Sequence, residues 1–243
     1  MRARAIRDWA TGRVTMIPRA KQLITYVIGP RVLDVGCAGH VPEPGSEYWL
    51  HGELVRHFPE SVGIDLNRQN VEALRSIGMK NLYVCSAEDF SFDTRFDSIV
   101  AGELIEHLSN PGLFLRCAAS HLAVGGRIII TTPNPFSLLN FLYGFCKFPK
   151  TCQNPEHTCW FCVATLQEIA RREELRVLEW QLIEDYRPNS ASLSYRTFVW
   201  LLRFCGWMLP ERLRCNAMIF VLEKDPGALS STKGTSTHAN EQT

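Results

Sequence analysis

The feature that most constrains this chain is an apolar run that breaks into glycine at residues 32–40, VLDVGCAGH. A run that ends in an acid, a glycine, a small residue and another glycine predicts a strand followed by a tight loop. Backbone in such a loop can approach a ligand without side-chain obstruction. A second apolar run, VGIDLN at 62–67, ends in Asp65, whose carboxylate is expected beside the loop and within reach of two ribose hydroxyls. Together the two segments predict a site for a nucleotide-type cofactor.

The spacing of the glycines narrows the type of cofactor. A dinucleotide site requires G-x-G-x-x-G leading directly into a helix N-terminus that holds pyrophosphate. Here Asp34, Gly36 and Gly39 are followed by the Pro-rich stretch 40–45. The pattern therefore predicts no phosphate cradle.

With these residues the chain resembles motif I of the class I S-adenosylmethionine (SAM) methyltransferases, and the likeness continues in order over about residues 30–135. It implies SAM as the cofactor, with Asp65 as the ribose-binding acid and Glu88 near the adenine. The cofactor-binding residues implied by the resemblance are Asp34, Gly36, Cys37, Ala38, Asp65, Leu66, Ala87, Glu88 and Gly102. Ala38 and His40 stand at positions where the family usually has glycine, which leaves the course of the loop open. A degenerate Rossmann-like domain that has lost its ligand is the alternative.

The order of elements predicts one α/β domain over residues 1–225, because strands and helices alternate along the chain. We expect a doubly wound, Rossmann-like sheet of seven mostly parallel strands with helices on both faces. Helices are expected at 1–28, 46–58, 68–77, from 109, at 164–173 and at 192–208, and strands at 30–35, 61–65, 81–85, 96–101, 126–132, 175–183 and 216–223. We expect residues 133–162 to form an apolar cap or lid insertion, and the polar tail 226–243 to be disordered.

Charge and cysteine content limit the partners and the compartment. Lys and Arg number 26 against 25 Asp and Glu, for a net charge of +1, so a general nucleic-acid footprint is absent. The nine cysteines are scattered, and no long apolar run follows the N-terminal arginines. Reduced thiols and a cytoplasmic location are the simplest interpretation.

A second group of chemical residues follows the fourth strand at 102–107, GELIEH. Strand ends face the ligand in α/β sheets, and on a helix Glu103, Glu106 and His107 would share one face. This E-x-x-E-H element resembles one found in ubiquinone-biosynthesis O-methyltransferases and in small-RNA 2′-O-methyltransferases. In the RNA enzymes a further histidine completes a metal site, and His157 in PEHTCWF resembles it. The resemblance implies a divalent metal, Mg, Mn or Zn, held by Glu103, Glu106, His107 and His157.

Other roles for these side chains remain open. His107 or His157 is a candidate general base, and acids in a first helical turn also favour the helix dipole. Cys152, His157, Cys159 and Cys162 lie close together in sequence, so a structural zinc knuckle competes for His157.

Two apolar segments, 136–148 and 192–209, bear on the partner. Core packing of the cap, a wall for a greasy substrate, and a membrane-surface or homodimer contact are the alternatives. The second segment is too short and too charged to span a membrane.

The sequence as a whole predicts a SAM-dependent methyltransferase that acts on a hydroxyl of a small molecule. A sugar, a lipid-linked glycan, a quinone precursor and a polyketide are the candidate acceptors. An RNA 2′-O-methyltransferase and an inactive SAM-binding scaffold are the alternatives, and near-zero net charge disfavours the first.

Overall fold

The computed structural model describes residues 6–7, 14–15, 17–39, 46–147, 154–186, 193–205 and 208–227. The stretch 40–45 after the glycine loop, the middle of the insertion at 148–153 and the tail beyond residue 227 lie outside the described residues. The expected disorder of the tail therefore remains a prediction.

A seven-stranded sheet with the order β5-β4-β3-β6-β7-β9-β8 organises the fold. Its strands are β3 (Val32–Val35), β4 (Val62–Asp65), β5 (Leu82–Val84), β6 (Phe96–Gly102), β7 (Leu122–Pro133), β8 (Leu175–Ile183) and β9 (Ala217–Lys224). The pairs from β5 to β7 are parallel, and β9 runs antiparallel to both of its neighbours. The chain order reverses between β3 and β6, so a ligand crevice is expected there. The predicted doubly wound α/β fold is confirmed.

Eight helices lie in the described part of the chain. They are α1 (Arg19–Ile24), α2 (Leu50–His57), α3 (Arg68–Ser76), α4 (Pro111–His121), α5 (Leu138–Lys147), α6 (Val163–Arg172), α7 (Leu193–Cys205) and α8 (Glu211–Arg214). Two helices begin at an asparagine cap, since the side chains of Asn67 and Asn110 accept hydrogen bonds from the backbone of α3 and α4. Pro111 then occupies the first turn of α4, where its missing N–H costs nothing.

Buried side chains cover both faces of the sheet. On one face α4 and α6 pack Phe114, Leu115 and Leu166 against β6 and β7. On the other face Leu23 of α1 and Leu54 of α2 pack against the same strands. A separate small cluster joins α5 and α7 around residues Leu138, Leu139, Tyr186, Tyr195, Phe198, Val199, Leu202 and Leu209.

Two local predictions are wrong. The N-terminal segment is not simply helical, because β1 (Ile6–Arg7) and β2 (Val14–Thr15) pair antiparallel before the single short helix α1. The segment 102–107 is not an α-helix either, since only Ile105–His107 forms a 3₁₀ turn. Glu103 adopts a left-handed backbone with φ of 53°, and its amide donates to the carbonyl and hydroxyl oxygens of Thr131. The chain therefore turns at Glu103, and no helical face is shared from Glu103 to His107.

Gly63 in β4 leaves room for a buried contact between a histidine and an aspartate beneath the glycine loop. The imidazole of His51 lies 3.0 Å from a carboxylate oxygen of Asp34, and both side chains are almost fully buried. A Cβ atom on Gly63 would lie 2.7 Å from the His51 ring, 2.8 Å from Cys37 and 2.6 Å from Leu82. This strand position therefore admits only glycine without a shift of its neighbours.

Gly63→Ala should lower the free energy of unfolding by about 1–3 kcal/mol through overpacking. Urea unfolding followed by circular dichroism measures the difference. Gly112→Ala in α4 is the matched control, because its nearest atoms at 3.3 and 3.5 Å are the ends of side chains and alanine favours a helix. Equal stability of Gly63→Ala and the wild type would contradict the packing argument.

Candidate active site

A cavity of about 820 Å³ opens at the carboxyl ends of β3, β4 and β6. Gly36, Gly39 and Asp65 line one end of it, and Glu106, His107 and His157 line another part. The glycine loop and the histidines therefore share one cavity, as a transfer reaction between two bound molecules requires.

The glycine loop is held to the end of β4 by backbone and carboxylate. The amides of Gly36 and Cys37 donate to the carbonyl of Ile64 at 2.8 and 3.1 Å. One oxygen of Asp65 accepts from the amides of Ala38 and Gly39 at 2.9 and 3.1 Å, and the other accepts from Asn67 at 2.8 Å. A carboxylate offers about four acceptor positions, so ribose hydroxyls would have to use the remaining one or displace a loop amide.

The predicted cofactor residues occupy three kinds of position. Gly36, Asp65 and Gly102 line the cavity. Asp34, Cys37 and Ala38 are buried, and Asp34 pairs with His51. On the flank, the Leu66 side chain is 74% exposed, Ala87 packs against the core and Glu88 accepts the Asn110 amide at 2.7 Å. The glycine loop is thus supported on its core side by the buried residues Asp34, Cys37 and Ala38.

Three of the four predicted metal ligands come together. Glu106, His107 and His157 each offer a ligand atom, and these atoms all lie within 4.8 Å of one another. The rings of His107 and His157 meet edge to face with centroids 4.7 Å apart. We call this group the E-H-H cluster.

Thr158 brings His157 to the 3₁₀ turn. Its amide donates to the carbonyl of Glu106 at 2.8 Å. Its hydroxyl lies 3.0 Å from that carbonyl and 2.7 Å from the carbonyl of Leu108, and donates its single proton to one of them at a time. These hydrogen bonds, which we call the Thr158 clip, explain how a histidine from the insertion reaches the end of β6.

Burial dominates the electrostatics of the E-H-H cluster. Burial, together with the neighbouring charge of Glu103, raises the pKa of Glu106 to about 8. The Thr132 hydroxyl and nearby backbone lower that pKa in part, yet neither Glu106 oxygen has a hydrogen-bond partner of standard geometry among the described residues. Burial and then His107 lower the pKa of His157, which favours the neutral imidazole that a base or a metal ligand needs.

Glu103, the fourth predicted ligand, pairs with a cation instead of joining the cluster. Its carboxylate lies 3.3 Å from the guanidinium of Arg19, and Asp185 lies 3.0 Å from the same guanidinium. The two carboxylates raise the pKa of Arg19 although burial, the largest influence, opposes them. Sequence reasoning missed Arg19 and Asp185, because no motif links residues so distant in the chain.

The zinc knuckle gains no support from the described residues. Cys152 lies outside them, and the E-H-H cluster is the only group of three metal-binding side chains found among those described. The Cys159 thiol lies near the carbonyls of Ile105 and Glu106, and Cys162 caps α6.

Thr158→Val should loosen the attachment of His157 at nearly constant side-chain volume, although the backbone amide at this position still donates to the carbonyl of Glu106. Loss of the hydroxyl removes a hydrogen bond of about 1 kcal/mol and should weaken Mn²⁺ binding about fivefold. Calorimetric titration of Mn²⁺ measures this. Thr165→Val is the matched control, because it removes a hydroxyl that caps α6 and should cost similar stability with unchanged Mn²⁺ affinity. Equal Mn²⁺ affinities of the two variants would contradict the clip.

Comparison with known proteins agrees with this architecture. The sequence profile described as a methyltransferase domain matches residues 1–203. A ubiquinone biosynthesis O-methyltransferase of Nitrobacter winogradskyi is 31% identical over 140 residues, which is 55% of this chain and 49% of that protein. The mitochondrial human protein of the same name is 31% identical over 122 residues, 46% of this chain and 31% of that one. The chain thus matches about half the length of these curated relatives, or less.

Solved structures show the same fold. A SAM-dependent methyltransferase from Archaeoglobus fulgidus superposes with a TM-score of 0.59 at 22% identity, over 85% of this chain and 91% of that chain. The Haloferax volcanii complex between the Trm112 methyltransferase activator and a methyltransferase gives 0.58 at 18% identity, over 85% and 88%. The chain therefore belongs to the methyltransferase domain family, and it shares the fold of solved SAM-dependent methyltransferases.

Proposed function

We propose that the protein transfers the methyl group of SAM to a hydroxyl of a small molecule. The observation that carries this proposal is that the glycine loop with Asp65 and the E-H-H cluster line the same cavity. The named activity of the relatives, O-methylation in ubiquinone biosynthesis, supports a phenolic quinone precursor as the first acceptor class to test. A sugar, a lipid-linked glycan and a polyketide remain the other classes.

The residues present fit a divalent metal. Two Glu106 oxygens and Nδ1 of His157 are buried without a hydrogen-bond partner among the described residues, and a buried polar atom left unpaired is costly unless an ion or ligand satisfies it. One carboxylate and two imidazoles suit Mn²⁺ or Zn²⁺ and tolerate Mg²⁺. We propose that Glu106, His107 and His157 hold such an ion.

In this mechanism the chain orients two molecules and removes one proton. SAM supplies the methyl group, and a bound divalent ion would lower the pKa of the acceptor hydroxyl. Asp65 and the backbone of Gly36 and Gly102 fix the cofactor, while the walls of the cavity hold the acceptor oxygen in line with the transferred carbon. If the cluster holds no ion, His107 or His157 would instead accept the proton as charge develops on the oxygen.

The RNA alternative is disfavoured by the acids that line the cavity. Among the residues that the structure describes, the cavity is lined by Glu103, Glu106, Glu156 and Asp185, against one guanidinium from Arg19. A phosphate backbone requires Lys and Arg contacts for affinity, and the net charge of the whole chain is only +1. An inactive scaffold is disfavoured as well, because packing alone gives no reason to bury Glu106 beside two histidines.

Incubation with labelled SAM and a panel of catechols, sugars and RNA 3′ ends tests the function directly. Labelling of a small hydroxyl acceptor is the expected result. Label on RNA alone would favour the alternative, and SAM binding without transfer to any acceptor would favour the scaffold.

Asp65→Ala should weaken SAM binding at least tenfold. The substitution removes charge-assisted hydrogen bonds of about 1.5–3 kcal/mol each to ribose, and it also releases two amides of the glycine loop. Calorimetry on the folded variant measures the affinity. Asp93→Ala is the control. Asp93 is exposed and precedes β6, so it lies at the amino ends of the strands, away from the cavity. Unchanged SAM affinity in Asp65→Ala would refute the ribose assignment.

A chelator separates a metal site from a simple base. If the E-H-H cluster binds an ion, EDTA should abolish transfer, and Glu106→Gln, His107→Asn and His157→Asn should each lower metal content and rate together, by at least about tenfold. The Glu103→Gln variant should retain the bound metal, because Glu103 forms a salt bridge with Arg19 and is not a member of the cluster. His57→Asn on α2 controls for loss of any histidine. A rate that ignores EDTA and falls about a hundredfold for one histidine alone would leave that residue as the base.

A further inference from the structure

The cap helices α5 and α7 are apolar on two faces. Their inner faces meet each other in the small cluster that contains Leu138, Tyr195 and Leu202. Their outer faces carry aromatic side chains that are well exposed: Phe141 63%, Phe145 77%, Trp200 62% and Phe204 70%. An apolar helix face is ordinarily covered by another surface, so the exposed outer faces indicate a further contact.

The exposed rings are arranged in pairs one helical turn apart. Phe141 and Phe145 stack with centroids 6.3 Å apart and an interplanar angle of 13°. Trp200 and Phe204 repeat this arrangement at 5.7 Å and 8°. More than half of the large exposed hydrophobic residues described fall in or next to these two helices, namely Phe136, Phe141, Leu142, Phe145, Leu193, Trp200, Leu201, Phe204 and Met208. Single exposed apolar residues are normal on a protein surface, whereas such a concentration marks a contact site.

The charges on the two helices favour a lipid surface over a second copy of the chain as the partner of the exposed faces. Their charged residues are Lys147, Arg196 and Arg203, and neither helix contains an acid. Basic residues on helices that carry exposed aromatic rings, with Arg196 itself exposed, suit an interface with anionic lipid, where each cation near the surface contributes about 1 kcal/mol. A second copy of the same chain would bring like charges together across a two-fold axis, which disfavours a homodimer.

The helix lengths fit a position in the plane of a lipid surface. At about 1.5 Å per residue, both helices are shorter than the roughly 30 Å hydrocarbon core of a bilayer. Across the described part of the chain, no helix has the length and apolar character needed to cross a membrane. An amphipathic helix of this kind buries its apolar side chains at the boundary between headgroups and acyl chains.

We infer that the exposed aromatic faces of α5 and α7, with their basic residues, dock the protein on an anionic lipid surface. The same helices contribute Leu139, Asn140 and Tyr195 to the wall of the cavity. Docking therefore brings the cavity close to the lipid, from which an amphipathic acceptor can enter. This last link rests on the proposed function, whereas docking itself does not.

Vesicle flotation of the full chain without SAM tests docking independently of catalysis. We expect binding to vesicles of phosphatidylglycerol and phosphatidylcholine at least tenfold tighter than to phosphatidylcholine alone, and weaker binding at high salt. The double variants Phe141→Ser/Phe145→Ser and Trp200→Ser/Phe204→Ser should each lose about tenfold or more. Arg196→Glu, at an exposed position, should weaken binding to the anionic vesicles only.

Trp180→Ser is the matched control. Trp180 is 45% exposed but lies on β8, so its substitution should leave vesicle binding unchanged. Circular dichroism verifies that each variant remains folded, which is expected because every substituted ring is exposed. Absence of vesicle binding in the wild type, or equal binding by the double variants, would overturn the inference. Dimerisation in analytical ultracentrifugation that these variants abolish, without vesicle binding, would assign the surface to a second copy instead.

Discussion

The parallel pairing of β3 with β4 on one side and β6 on the other is the constraint on which the site depends. Because these strands run in one direction, the glycine loop, Asp65 and the turn at 102–107 all emerge at one edge of the sheet. Packed side chains on both faces of the strands fix this register, since a shift by one residue would move each core side chain to the opposite face of the sheet. The spacing between the glycine loop and the E-H-H cluster is thus set by the buried centre of the sheet.

The insertion between β7 and α6 adds the groups that distinguish this site. His157 enters through the hydrogen bonds of Thr158 to the turn after β6, so part of the candidate chemistry depends on one short clip. The same insertion supplies α5, which joins α7 in the cap. A single segment therefore carries both the third member of the E-H-H cluster and half of the proposed lipid-docking surface.

Charge is distributed unevenly between the cavity and the cap. Acids line the cavity and the exposed helices are basic, although the net charge of the chain is only +1. The negative groups favour binding of a divalent cation and of a cofactor with a positive sulfonium. The positive groups on α5 and α7 favour an anionic surface. Net charge alone reveals neither preference, because it sums regions that act on different partners.

The sequence by itself determined the order along the chain of the strands in the seven-stranded sheet, the α/β class and the glycine loop with Asp65, because these depend on local periodicity. It also brought His157 into consideration, through the residues around it. Tertiary structure alone decided that residues 102–107 turn at Glu103 instead of forming a helix. It also decided that Arg19 pairs with both Glu103 and Asp185, and that Asp34 faces His51 in the core. These outcomes depend on contacts between segments far apart in the chain, where burial and charge pairing, and not local propensity, fix the direction of each side chain.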